Sequence, residues 1–435
     1  MIASPKAWLL CPLLVLAACH NGPSRFSGAA GTGGGGGGSG GNVPPPGCSS
    51  PTMASLDAPN VVELTVDPGP AEAVAANQFY ANGLFATVTF CVPGTSNCQT
   101  IDHLLVDTGS VGVRVLASVL TLPLPAAKTD TGAALAECLP FVDGDAWGLV
   151  KTADVEIGNE QANNIRVQVI GDTSISDNIA IPSACNDNII TTLIGDQGLG
   201  SNGILGVGPQ PEDCGANCIA QSSFSYYYAC STTCRALSPP VEQQVPNPVA
   251  RFPTDNNGII IQLPCIPEAG APQVSGVMVF GIGTQGNNDL GNERMMVPDS
   301  YGYVTTTFPA GGESYISILD TGTNFLLFLN PKTSGLKACS GKASFLYCPP
   351  STTNLSATLY GNNQDEIPVA FSVANPMNLS DQNCAFNNVA GSFPGYPTAG
   401  MPAFDWGLPF HFGRSVYVAI EGKATSAGVG PYFAF

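Results

Sequence analysis

The sequence predicts an all-β protein, and two observations carry that prediction. Short segments rich in β-branched and aromatic residues recur between Gly, Pro and Asn residues, for example at 84–90, 165–170 and 259–261. Long amphipathic helices are hard to find, and the best short helical candidates, 133–138 and 217–223, have weak patterns. The chain's 51 Gly and 37 Pro residues supply the many turns that an all-β fold needs.

Charge is scarce in this 435-residue chain, and the balance is acidic. Charged residues make up 11%, with 14 Lys+Arg against 32 Asp+Glu and a net charge of -18. Soluble domains have about 25% charged residues. This acidity excludes a nucleic-acid-binding protein and a basic peripheral membrane protein. The 44% apolar residues are enough for a large core, and the length favours two or three domains or one large all-β unit. The 15 Cys residues favour an oxidising compartment.

The N-terminus has the pattern of an exported lipoprotein. Lys6 precedes an apolar run at 7–16, which is too short to span a bilayer but is typical of a signal peptide. The run leads into Leu-Ala-Ala-Cys19, which resembles the lipobox of bacterial lipoproteins, so we expect lipidation of Cys19. An ordinary signal peptide with an incidental Cys is the alternative. Because His20 rather than Asp follows the Cys, the resemblance implies the bacterial cell envelope, with the lipid anchor in the outer membrane and the protein facing the periplasm or the surface.

A stretch rich in Gly and Pro separates Cys19 from the folded part. Residues 33–38 are all Gly and residues 44–46 are all Pro, a composition that cannot bury apolar surface and behaves as a tether. We therefore expect a signal peptide at 1–18, and the lipidated Cys with its tether at 19–58.

One motif occurs twice and divides the folded part into two lobes. Leu-Leu-Val-Asp107-Thr-Gly-Ser recurs as Ser-Ile-Leu-Asp320-Thr-Gly-Thr, in each case an apolar strand that runs into Asp-Thr-Gly and a hydroxyl residue. A Gly-containing apolar segment follows each copy at a similar distance, at 203–208 and 407–410. The repeat predicts an N-terminal β lobe at 59–284 and a C-terminal β lobe at 285–435.

With these motifs the chain resembles the pepsin-like aspartic peptidases from residue 77 to its end. Further segments match the family in chain order, at 80–83, 154–158, 277–281 and 412–418. The resemblance implies a bilobal all-β fold with an active-site cleft between two homologous lobes. It implies a monomer with a peptide or protein substrate in the cleft, no nucleic acid, no cofactor and no metal. The chain is also similar to a group of proteobacterial lipoproteins of unknown function that have this fold.

The resemblance assigns the catalytic roles to Asp107 and Asp320. Two carboxyl groups about 3 Å apart share one proton, so one acts as a base on a water molecule and the other as an acid. In the family, the residues that follow each Asp support it. The glycines allow close approach of the backbone, the last hydroxyl residues bond the outer carboxylate oxygens, and the threonines cross-link the two loops; here these supporting residues are Gly109, Gly322, Ser110, Thr323, Thr108 and Thr321.

The flap departs from the family pattern. We place it at Phe141 and Gly144, so that Phe141 stands where the family has a Tyr whose hydroxyl helps to close the site. Arg114 stands where the family has a Trp that partners this Tyr. Two hypotheses follow: a membrane-tethered aspartic endopeptidase, and a catalytically silent lipoprotein that binds peptides in the same cleft or is structural. We favour the endopeptidase because both aspartates are present.

Other candidates for chemistry are weaker. His103 and His411 are the histidines outside the tether, and both are interpreted as structural residues. The cysteines at 214, 218, 230 and 234 have a spacing that a metal site could use, but export favours two disulfides.

Local spacing also predicts disulfides. We expect the nested pairs Cys214–Cys234 and Cys218–Cys230, and local links Cys91–Cys98 and Cys339–Cys348. An odd number of cysteines remains once Cys11 and Cys19 are set aside, and Cys48 is the one expected to stay unpaired.

Overall fold

The structure, a computed structural model, describes residues 48–141, 144–172, 174, 180–185, 188–195, 198–220, 225–398 and 400–435. The predicted signal peptide, Cys19 and the tether up to residue 47 lie outside the described residues. Within the described part of the chain, no helix is both long and apolar enough to cross a bilayer.

Strands make up most of the regular structure. The first twelve are β1 (Val61–Val66), β2 (Leu84–Cys91), β3 (Cys98–Asp107), β4 (Val111–Leu116), β5 (Ala134–Pro140), β6 (Asp145–Ile157), β7 (Glu160–Ile170), β8 (Gly203–Val207), β9 (Tyr227–Cys230), β10 (Cys234–Leu237), β11 (Gly258–Leu263) and β12 (Val274–Phe280). The next twelve are β13 (Met295–Met296), β14 (Val304–Phe308), β15 (Glu313–Leu319), β16 (Leu326–Phe328), β17 (Thr353–Tyr360), β18 (Glu366–Val373), β19 (Ala390–Gly391), β20 (Phe404–Trp406), β21 (Arg414–Ala419), β22 (Ala424–Thr425), β23 (Gly428–Val429) and β24 (Tyr432–Ala434).

The helices are short. The α-helices are α1 (Ala71–Ala75), α2 (Gly215–Ala220), α3 (Pro331–Ser334) and α4 (Leu408–His411), and 3₁₀ turns occur at Val241–Gln243, Val249–Arg251, Gly341–Ala343 and Pro376–Asn378. The helical candidate at 133–138 is wrong, since it lies in β5, where Ala136, Glu137 and Cys138 are all buried. The candidate at 217–223 is helical up to residue 220, and residues 221–223 lie outside the described residues.

The strands form two large sheets, which confirms the expected all-β fold with two lobes. One sheet has fifteen strands in the order β10-β9-β5-β6-β7-β4-β8-β3-β2-β1-β12-β11-β21-β24-β13. The other has seven, in the order β18-β17-β14-β15-β20-β16-β19, and β22 pairs with β23. The fifteen-stranded sheet also contains three strands from beyond residue 284. They are β13, which follows soon after that residue, and β21 and β24 near the end of the chain. The last strands therefore connect the C-terminal half to the N-terminal lobe.

Sequence patterns explain which strands lie at the surface and which are central. In β17 the side chains of Ala357 and Leu359 are buried while Asn354 and Ser356 are exposed, the period-two alternation of a strand with one wet face. In contrast, β8 is buried along its whole length and pairs in parallel with β3. Such a continuous apolar run is typical of a central strand. One hydrophobic cluster extends through both lobes.

Six disulfides join described residues: Cys48–Cys265, Cys91–Cys98, Cys138–Cys185, Cys214–Cys218, Cys230–Cys234 and Cys339–Cys348. The predicted links Cys91–Cys98 and Cys339–Cys348 are confirmed. The four cysteines considered as metal ligands are all in disulfides.

The nested pairing of those four cysteines is wrong. The register of β9 and β10 places Cys230 directly opposite Cys234, with their Cα atoms 4.1 Å apart. Cys214 and Cys218 lie about one helical turn apart at the start of α2, so they bond to each other. The expectation for Cys48 is also wrong, because it bonds to Cys265, 217 positions along the chain.

Candidate active site

Equivalent strands of the two lobes carry the two predicted aspartates. Asp107 is the last residue of β3, and Asp320 directly follows β15. In the first lobe the predicted segment 203–208 contains β8, which pairs in parallel with β3. In the second lobe the strand parallel to β15 is β20, which ends just before the predicted segment 407–410, and most of that segment lies in α4. The registers agree, since Leu205 is opposite Val106 and Trp406 is opposite Leu319.

The two aspartates lie together at the junction of the lobes. The two carboxyl groups are close enough to interact, since the negative charge of Asp107 helps to raise the pKa of Asp320. Glycine is needed on both sides of the pair: a Cβ atom on Gly109 would lie 2.6 Å from Cγ of Asp320, and one on Gly322 would lie 2.8 Å from Cγ of Asp107. Any side chain at either position would displace the opposite carboxyl group.

Each carboxyl group accepts hydrogen bonds from its own loop, but the two sets differ. Oδ1 of Asp107 accepts from the backbone N–H groups of Gly109 and Ser110, at 2.8 and 3.1 Å, and Oδ2 accepts from the Ser110 hydroxyl. Oδ1 of Asp320 accepts from the Gly322 N–H at 2.7 Å, and its Oδ2 is 2.9 Å from the Thr323 hydroxyl. Because donors stabilise the ionised form, the fuller set at Asp107 favours the carboxylate there.

The loops are cross-linked beneath the aspartates by a symmetric set of hydrogen bonds. The Thr108 N–H donates to Oγ1 of Thr321 at 3.1 Å, and the Thr321 N–H donates to Oγ1 of Thr108 at 3.0 Å. The Thr108 hydroxyl also donates to the Leu319 carbonyl, and the Thr321 hydroxyl to the Val106 carbonyl. All of these groups are buried, so the bonds hold the two loops in a fixed relation.

The electrostatics of the pair place the shared proton on the Asp320 side. Burial, followed by the negative charges of Asp107 and Asp405, raises the pKa of Asp320 well above its ordinary value. The arrangement can therefore present one carboxylate and one carboxylic acid side by side.

Asp405, a third carboxyl group, was missed by the sequence reasoning. It lies in the middle of β20, it is 5% exposed, and its Oδ2 is 2.9 Å from the Thr323 hydroxyl. In the second lobe Asp405 lies opposite Ile318, and in the first lobe Ile204 lies opposite Leu105, so Asp405 and Ile204 occupy equivalent positions. Aligning the two repeats strand by strand would have shown an acid in the second lobe where the first lobe has an apolar residue.

Arg114 is completely buried and does not lie in the flap. Its Nη2 atom donates to Oε1 of Glu137 at 2.8 Å and to Oδ2 of Asp213 at 3.0 Å, and its Nη1 atom donates to the Val111 carbonyl. The Tyr227 hydroxyl also donates to Asp213. Although burial alone would lower it, the charges of Glu137 and Asp213 raise the pKa of Arg114. We call these four side chains the Arg114 network; it ties β4, which follows Asp107, to β5 and β9.

The structure places the predicted flap residues at the turn between β5 and β6. The Phe141 N–H donates to the Gly144 carbonyl at 2.8 Å, and the Phe141 ring packs against a hydrophobic cluster that includes Leu116 and Ile190. A Cβ atom on Gly144 would lie 2.1 Å from the Asn188 carbonyl oxygen. These contacts are with the 188–190 segment, and the Cys138–Cys185 disulfide attaches β5 to the same region. The predicted flap is thus fastened to its own lobe.

The two histidines have structural surroundings. Nε2 of His103 is 3.2 Å from Asp67, and hydrogen bonds and charges of Asp67 and then Asp102 raise the pKa of His103 against the opposing effect of burial. His411 is fully buried, and burial lowers its pKa to about 3, so it is neutral.

The buried acids predict how stability depends on pH. Burial is the main cause of the raised pKa at Asp213, Asp320 and Asp405, so the folded state binds these protons more tightly than the unfolded chain. The stability that these bound protons give to the folded state is fully present below about pH 4. It is lost as the pH rises through the pKa values of the folded state, and the pKa of Asp405 is about 8. We expect the Tm to be higher at pH 5 than at pH 8 in calorimetry. A higher Tm at pH 8 would contradict this reading.

Both a family model and a solved structure match this chain. No curated protein matches this chain. Among solved structures, the crystal structure of aspartic proteinase from Irpex lacteus aligns with 86% of this chain and 96% of its own chain, at 18% identity and a TM-score of 0.49. The family model described as "Protein of unknown function (DUF3443)" matches residues 56–435, and the chain belongs to that family.

Proposed function

We propose that the protein is an aspartic endopeptidase that hydrolyses peptide bonds with a water molecule activated by Asp107 and Asp320. The observation that supports this most is the close approach of the two Asp-Thr-Gly loops, one from each lobe, which packs Gly109 against the Asp320 carboxyl group and Gly322 against the Asp107 carboxyl group. The reciprocal threonine bonds and the two glycines keep the groups in that contact. Two carboxyl groups in such close approach share one proton, which is the state that general acid–base catalysis on an amide needs.

The difference between the two carboxyl groups assigns the roles. Asp107, with three donors, is the base that takes a proton from the water as its oxygen attacks the peptide carbonyl carbon. Asp320 carries the shared proton and gives it to the carbonyl oxygen, which is gaining negative charge. When the C–N bond breaks, the proton held on Asp107 passes to the leaving nitrogen, and one hydroxyl group of the tetrahedral intermediate returns its proton to Asp320. One water is consumed, and a carboxylic acid and an amine are formed.

Attachment to the membrane is the second part of the proposal. It rests on the lipobox-like sequence that ends at Cys19 and on the Gly- and Pro-rich stretch after it. The described chain starts at Cys48, whose disulfide with Cys265 fastens the end of the tether to the fifteen-stranded sheet. A lipid on Cys19 would then hold the peptidase near the outer membrane, facing the periplasm or the surface, as a monomer that takes a peptide or protein substrate.

A catalytically silent lipoprotein that binds peptides or is structural is the second candidate. Two observations favour it: Phe141 has no hydroxyl, and the turn that carries it packs on its own lobe. In that case the Asp pair would be retained only to hold the loops together.

Purified protein lacking the signal peptide, assayed on an unfolded protein from about pH 3 to pH 8, separates the two candidates. We expect cleavage at internal peptide bonds that is inhibited by pepstatin. Complete absence of cleavage from a protein that shows a cooperative melt would overturn the peptidase proposal and support the silent one.

A further inference from the structure

We propose that Asp405 is a proton-carrying partner of the Asp pair, linked to Asp320 through the Thr323 hydroxyl, and that it extends the working range of the pair toward neutral pH. The proposal rests on the peptidase function proposed above. Asp405 acts through other groups, so it is a positioning residue.

The Thr323 hydroxyl lies between two carboxyl groups. Its Oγ1 atom is 2.9 Å from Oδ2 of Asp320 and 2.9 Å from Oδ2 of Asp405. A hydroxyl has one proton, so it can donate to only one of the two acceptors. Both contacts are hydrogen bonds only if one carboxyl group is itself protonated and donates to the Thr323 oxygen.

The surroundings identify Asp405 as that protonated group. Within the part of the chain that the structure describes, its other oxygen, Oδ1, is buried and has no hydrogen-bond partner, whereas Asp320 also accepts from the Gly322 N–H. A buried carboxylate with an unsatisfied oxygen is far more costly than a buried neutral acid. The hydrogen bonds therefore run from the Asp405 O–H to Thr323, and from the Thr323 O–H to Asp320.

Among the described residues, the charged groups that interact with Asp405 are the two members of the Asp pair. The strands on either side of β20 place Ile318 and Leu327 opposite it; β16 has no titratable residue, and Glu313 and Tyr315 of β15 bond to each other. Burial raises the pKa of Asp405 to about 8, with the charge of Asp107 adding to the rise and the Thr323 bond opposing it.

The consequence concerns the high-pH limit of activity. An Asp pair stops working when its single shared proton is lost. Once Asp405 is ionised, its negative charge makes loss of that proton harder; before then, its own proton stays in the hydrogen-bonded chain. Either way the cluster keeps a proton on the pair to higher pH than two acids alone would.

The test replaces Asp405 with Asn, which keeps the shape, and with Ile, the residue of the equivalent position in the first lobe. We expect both variants to retain activity in acid and to lose it on the alkaline side about one pH unit earlier than the wild type, in profiles of kcat/KM against pH. Asp154→Asn is the matched control. Asp154 is similarly buried (6% exposed), but it lies in the first lobe, where it accepts hydrogen bonds from the backbone N–H groups of Gly94 and Asn164. Its profile should match the wild type.

Infrared spectra give a second readout that does not need activity. We expect the protonated-carboxyl C=O absorption at about pH 7 to be equal in the wild type and in Asp154→Asn and to be weaker by one group in Asp405→Asn, where the protonated Asp213 and Asp320 still contribute. An unmoved alkaline limb in both variants, or C=O absorption of undiminished intensity in Asp405→Asn, would overturn the inference. A wild type that cleaves nothing would instead overturn the peptidase function, and the band would still decide the protonation of Asp405.

Discussion

Asp107→Asn and Asp320→Asn are each expected to lower kcat/KM by about 10³-fold or more, because either change removes a group that accepts or carries the reacting proton. The amide has the shape of the carboxyl group, and its oxygen can still accept from the Gly109 or Gly322 N–H, so the fold should remain. Cleavage of a fluorogenic peptide at the pH optimum measures the loss.

The loss must be separated from unfolding. Circular dichroism melts of both variants should stay cooperative, and relief of the repulsion between the buried acids should hold or raise the Tm at neutral pH. The Asp154→Asn protein again serves as control and should keep full activity. Wild-type rates in Asp107→Asn or Asp320→Asn would show that the two aspartates do not carry out the reaction.

Arg114→Met is expected to lower the free energy of unfolding by about 3–5 kcal/mol, the usual cost of removing one partner from a buried ion pair. The guanidinium is completely buried, and without it Glu137 and Asp213 would face each other with no cation in the network. Burial and the charge of Glu137 already raise the pKa of Asp213 well above its usual range. Urea unfolding at pH 7 measures the change.

A surface pair supplies the matched control. Arg251 donates to Glu212 at 2.6 Å, but its side chain is 42% exposed, so Arg251→Met should cost no more than about 1 kcal/mol. Adding Asp213→Asn to Arg114→Met should recover part of the stability, because it leaves Glu137 as the one buried acid of the Arg114 network. Equal losses for the two Arg variants would mean that the Arg114 network contributes little to stability.

The Arg114 network also gives a structural role to one departure from the family pattern. Seven residues after Asp107, the sequence has Arg114 where the pepsin-like pattern has a Trp that partners the flap Tyr. In this chain β5 places Glu137 beside Arg114, and the guanidinium donates a hydrogen bond to the Glu137 carboxylate inside the N-terminal lobe. No spacing in the sequence relates residue 114 to residues 137 and 213, so only the packed strands could bring these charges together.

The disulfides show the same contrast between pairings visible in the local sequence and pairings set by the fold. Cys91 and Cys98 close a hairpin whose turn is visible in the sequence, and their pairing was predicted. Cys48 and Cys265 are 217 positions apart, and their bond depends on where the chain enters the fifteen-stranded sheet. Strand register likewise decided that Cys230 pairs with Cys234 rather than with Cys218.

The sequence by itself determined the all-β class, the two repeated lobes and the two Asp-Thr-Gly loops, because turns, alternation and short motifs are properties of neighbouring residues. The tertiary structure alone decided that Asp405 joins Asp320 through Thr323 and that Arg114 is buried with two acids. Those contacts follow from which strands lie side by side, as when β20 pairs with β15. That choice depends on packing across the whole core, where a shift of one residue would turn every side chain to the opposite face.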